Sequence, residues 1–62
     1  MKRRDYELIA SAIKRARDFS INADKPGVDW AARMIADAFA REKPGFDRDL
    51  FLTNCGVQEY ER

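Results

Sequence analysis

The sequence predicts an all-α fold, a small three-helix bundle with helices over about residues 5–19, 28–42 and 48–55. Three observations carry this. Apolar residues recur at three- and four-residue spacing in the first two stretches, the third is bracketed by a cap and a stop, and no segment reads as a strand. Pro26-Gly27, Pro44-Gly45 and Gly56 fall between the helices or just past the last one. The 62 residues, 45% apolar and 37% charged, form a single domain, 1–62, with no repeat or low-complexity tract. A domain of this size hides only about 60% of the surface its unfolded chain exposes, so the core is thin and a partner or second copy would add stability.

With Ile9 at zero on a wheel of about 100° per residue, Tyr6, Ala12, Ile13 and Ala16 fall within about 60° of it. Leu8 and Phe19 lie on one shoulder, and Glu7, Ser11, Lys14 and Asp18 occupy the far side. Asp5 and Glu7 at the start, and Lys14, Arg15 and Arg17 at the end, suit the helix macrodipole. Residues 20–27 form a linker, with Ile21 tucked beneath it. Pro26 and Gly27 are expected to stop anything upstream, so the second helix starts near Val28 or Asp29.

Val28, Ala31, Ala32, Ile35, Ala38 and Phe39 make that helix's apolar face, and Arg41-Glu42-Lys43 ends it before Pro44. Asp47 caps the third helix, Phe46 is placed to staple onto Phe51, Gly56 supplies a left-handed stop, and Val57 packs back on the final turn. Gln58–Arg62 is a polar tail carrying Tyr60. The expected core centre is Ile9, Ile13, Ala16, Ala32, Ile35, Phe39, Leu50 and Phe51.

Twelve basic against eleven acidic residues leave a net charge of +1, which gives no electrostatic reason to expect a nucleic-acid or membrane partner. The charge is uneven, at +4 over residues 1–17 and −3 over 18–62, and helix-end electrostatics account for most of that. No apolar run reaches the roughly 18 residues of a membrane span, and Met1–Asp5 does not read as a signal peptide, so the expected location is the cytoplasm.

Catalysis is disfavoured by what the chain lacks. There is no histidine, so the commonest general base and metal ligand are missing, and Cys55 has no partner to activate it. Cys55 also closes a helix, where the dipole disfavours a thiolate, and reads as a small buried hydrophobe. Asp47 and Asp49 are explained by capping, while Asp37 and Glu42 lie on different helix faces. No phosphate loop or zinc set is present, and no cofactor, metal or catalytic residue is assigned.

DNA binding is the alternative reading, because three helices are the usual size of a helix-turn-helix module. The candidate recognition helix, Arg48–Cys55, offers Arg48, Thr53 and Asn54 but leads with Asp47 and Asp49, which repel phosphate. Lys2, Arg3 and Arg4 could act as a basic arm or simply as a solubilising terminus.

A protein-docking surface on the second helix is the leading reading, with an oligomeric scaffold as a further alternative. Trp30, Met34 and Arg41, flanked by Arg33 and Asp37, lie past the apolar arc, and Trp, Met and Arg are enriched where partners dock. The economical account of Trp30 and Met34 is that they complete the core against the first helix or the tail.

Three segments, Asp5–Ala10, Val28–Ala40 and Glu42–Gly56, together resemble a family of small helical proteins encoded by bacteriophages and actinobacteria. The resemblance covers nearly the whole chain and rests on cap, staple and core positions, except that Gly45 stands where such segments often carry a bulkier or basic residue. It implies the fold but carries over no catalytic or binding residue. The setting it implies is a non-enzymatic accessory protein that binds a host protein inside the host cell.

Overall fold

The computed structural model describes residues 1–57, in which three helices form: α1 (Arg3–Phe19), α2 (Lys25–Glu42) and α3 (Arg48–Asn54). All three pack on one another, giving the three-helix bundle the sequence predicts. The tail with Tyr60 lies outside the described residues.

α1 begins two residues before the expected Asp5. The reason is Asp5 itself, whose carboxylate accepts the backbone N–H of Lys2 at 3.1 Å and places a negative charge in the first turn. Ion pairs at i, i+4 line the exposed face, Arg3 to Glu7 at 3.1 Å and Lys14 to Asp18 at 2.8 Å. At the far end Ser20 Oγ donates to the Ala16 carbonyl at 2.7 Å. Lys25 Nζ donates to the carbonyls of Arg17 and Ser20 at 2.9 and 2.6 Å, so the first residue of α2 caps the end of α1.

α2 begins at Lys25, three residues ahead of the expected start, with Pro26 and Gly27 inside its first turn. Proline ends helices from within but suits their opening, where its N–H would have no partner and its φ is already helical. Asp29, expected to cap or sit in the first turn, instead lies a full turn in and receives Arg17 in a bidentate pair, Nε to Oδ1 at 2.6 Å and a second nitrogen to Oδ2 at 3.3 Å. The two side chains are 26% and 18% exposed. The Asp29 hydrogen bond raises the Arg17 guanidinium pKa above its ordinary value against the opposing effect of desolvation.

α3 follows its sequence signals closely. Asp47 accepts the Leu50 N–H at 3.0 Å, and the Phe46 and Phe51 rings meet at 5.6 Å as the expected staple. Cys55 is the cap rather than the last helical residue. Gly56 then turns left-handed at φ +80°, its N–H bonding to Thr53 and that of Val57 to Leu52, both at 3.0 Å. A Cβ on Gly56 would sit 3.4 Å from Lys14 Cγ in a backbone region that other residues rarely adopt.

The core is smaller and differently centred than expected. Its fully buried members are Ala10, Ala32, Ala36, Phe51, Leu52, Cys55 and Val57, with Tyr6, Ile9, Ile13, Ile35, Phe39 and Phe46 packed around them. Ala16 and Leu50, placed at the centre from sequence, are exposed. α3 turns Phe51, Leu52 and Cys55 inward and leaves Leu50 outside, while α1 buries Ala10 and so rotates Ala12 and Ala16 toward solvent. Ile21 is not tucked under the linker but is 67% exposed.

One end of the bundle is closed by four rings from all three helices and the loop before α3. Tyr6 meets Phe39 and Phe46, each at 4.9 Å, and Phe39 meets Phe46 and Phe51 at 5.5 and 5.6 Å. All are edge-on or tilted, the arrangement worth about 0.5–1.5 kcal/mol per pair beyond area burial. Leu52→Ala should destabilise by about 2–5 kcal/mol, whereas Leu50→Ala should cost less than about 1 kcal/mol. Thermal midpoints of the two variants check this, and equal losses would refute the assignment of Leu50 to the surface.

Candidate interaction surface

α2 is packed through its alanines. The buried arc centres between Ala32 and Ala36, both fully buried, whereas Ala31, assigned to the core face from sequence, is exposed. This rotation turns Trp30, Met34, Asp37 and Arg41 to the side facing away from the core, within about 60° of one another on the helical wheel. Trp30 is 65% exposed and Met34 58%, so neither completes the core against α1. The physical reason is steric. Alanine lets α1 and α3 approach α2 closely on one side, and no described element covers the other side.

The charged members of the set have distinct roles. Asp37 accepts Arg48 Nε at 2.6 Å, which ties α2 to the start of α3. Arg33 is half-buried on the shoulder and makes an interaction of its own. Arg41 is exposed, and its side chain makes no hydrogen bond or ion pair among the described residues. The structure therefore brings Trp30, Met34, Asp37 and Arg41 onto one face and sets Arg33 beside it.

Sequence reasoning missed a second bare face. Leu8 and Phe19, read as a shoulder of the core, are 69% and 84% exposed on α1. The signal was Ala10, a small residue opposite them that marks where α1 comes closest to its neighbours. A groove of about 410 Å³ also lies between α1 and α3, lined by Tyr6, Phe46, Leu50 and Phe51 and rimmed by Arg3, Glu7, Lys43 and Asp47. Its rim charges balance, and Lys43 Nζ already sits 5.6 Å over the Tyr6 ring.

The basic cluster does not form an extended arm. Lys2 is the cap of α1, while Arg3 and Arg4 are helical and Arg3 is held by Glu7. In α3 the side chains of Phe51 and Leu52 face the core, and Arg48 is engaged by Asp37. Among the described residues no three metal-ligating side chains converge, and no helix is long and apolar enough to cross a membrane. Comparison with protein-family models, with curated proteins and with solved structures gave no match.

Cys55 is buried, and desolvation lifts its thiol from 9.0 to about 11. A raised thiol pKa disfavours the charged form in the folded state. The stabilisation it reflects is complete below about pH 9 and is lost as pH rises toward about 11. Thiol labelling of the native chain at pH 8 should be slow and should accelerate in step with unfolding by urea; rapid labelling without denaturant would contradict the burial.

Proposed function

We propose that the chain is a non-catalytic protein-binding domain that docks a protein partner on the outer face of α2. The observation that carries this reading is the exposure of Trp30 and Met34 one helical turn apart, with Asp37 and Arg41 continuing the same face. Large side chains of these types on the surface of a 62-residue chain lower solubility, and a protein partner that covers them recovers the buried area. The buried, protonated Cys55 and the lack of histidine support a non-enzymatic role. In the setting implied by the resemblance to small phage proteins, the partner is a host protein or a second copy, met in the cytoplasm.

DNA binding is the competing reading, and it draws less support from the geometry. The positive charges nearest a groove-facing helix are held by Glu7 and Asp37. Salt titration against duplex DNA discriminates, since phosphate-driven affinity falls steeply with salt.

Trp30→Ala should leave the thermal midpoint within about 1 kcal/mol of wild type in stability terms, because the ring is outside the core. The same variant should lose at least tenfold in recovery of a bound protein when immobilised wild type and variant are compared on one cell extract. Recovery that ignores Trp30, or recovery of nucleic acid alone, would overturn the proposal.

A further inference from the structure

Two methionines and one cysteine are the sulfur groups of the chain, and the fold treats them differently. Cys55 is fully buried, and desolvation lifts its thiol to about 11, so at neutral pH it is protonated, the form that reacts slowly with peroxides. Met34 stands on the outer face of α2 with 58% of its surface exposed, and Met1 is 60% exposed ahead of α1. An oxidant in solution therefore meets both thioethers before it meets the thiol.

We propose that Met34 is a redox modification site, at which a hydroperoxide converts the thioether of the folded chain to the sulfoxide and so switches off docking on the outer face of α2. The inference rests on the docking role proposed above and adds its regulation. Two observations carry it. Met34 is two residues from each of the buried Ala32 and Ala36, about 160° round the helix from both, so a group added to its sulfur points away from the core. Trp30 and Met34 are also the large apolar side chains of a face that Asp37 and Arg41 continue as charges.

The chemistry is a two-electron oxygen transfer. The sulfur lone pair attacks the terminal peroxide oxygen, the S–O bond forms as the O–O bond breaks, and the proton on the transferred oxygen passes to the leaving one. Sulfur is oxidised to the sulfoxide and the hydroperoxide is reduced to an alcohol, or to water where it is hydrogen peroxide. The product is a polar, chiral group in place of a flexible apolar one, and a partner that covers it must strip water from the new oxygen.

The folded chain is treated with hydrogen peroxide at neutral pH, freed of it, mapped by peptide mass spectrometry, and compared with untreated chain in capture from one cell extract. One oxygen should be gained at Met34, at a rate within about threefold of that at Met1, while Cys55 stays a free thiol. The thermal melt should overlay that of the untreated chain. Recovery of the protein held through Trp30 should fall about tenfold. Met34→Leu should capture that protein and keep it after peroxide, Met1→Leu should lose it as wild type does, and Met34→Gln should capture little without any oxidant.

Oxidation of Cys55 ahead of Met34, a lowered melt on oxidation, undiminished capture by oxidised wild type, or equal loss by Met34→Leu after peroxide would each overturn the inference. Its failure is distinct from failure of the docking role. Capture through Trp30 that ignores peroxide removes the switch and leaves docking standing, whereas untreated chain that captures nothing removes both.

Discussion

The architecture turns on how little helix α3 has to offer. Its seven residues span about 10 Å, against roughly 26 Å for the 17 residues of α1 and 27 Å for the 18 of α2. Yet residues 51–57 provide Phe51, Leu52, Cys55 and Val57 to the buried core, and the two long helices answer with the fully buried Ala10, Ala32 and Ala36. A wedge of large side chains against alanine walls packs densely, but only along one side of each long helix. The result is a bundle with a tight inner seam and two uncovered outer flanks.

Different forces fix the two ends of that seam. Where α1 finishes and α2 starts, polar atoms hold the chain: Lys25 caps the carbonyls of α1, and Arg17 grips Asp29 through two hydrogen bonds. Where α1 starts and α2 finishes, the rings of Tyr6, Phe39, Phe46 and Phe51 do so. The polar clamp is directional and sets the angle between the helices, whereas the rings tolerate rotation and supply burial. This division suits a chain whose thin core leaves little apolar area to spare.

Much of this was legible in the sequence, and the failures are instructive. Asp47, Phe46, Gly56 and Val57 announced both ends of α3 because caps, staples and left-handed stops are local, fixed within a few residues. The start of α2 was misread because Pro26 has opposite meanings at the opening and in the interior of a helix, and the side chain that decides, Lys25, acts through carbonyls on the preceding helix. The rotation of α1 and α2 was hidden for a related reason. The wheels were centred on Ile9 in α1 and on the face of Val28, Ala31, Ala32, Ile35, Ala38 and Phe39 in α2, whereas close approach at Ala10 and Ala36, which neither wheel singled out, chose the contact face. The bare face holding Trp30 and Met34 follows from that rotation and from no local pattern.

The exposure of Trp30 has a practical corollary. It is the chain's one tryptophan, and its indole is already two-thirds in water while the protein is folded. Its emission will therefore shift little when the helices melt, and a chemical denaturation followed by tryptophan fluorescence would register the transition with only a small amplitude. The same property makes it a built-in optical probe of its own surroundings: a move to shorter wavelength on raising concentration or adding a ligand reports that the outside of α2 has been covered, with no label attached.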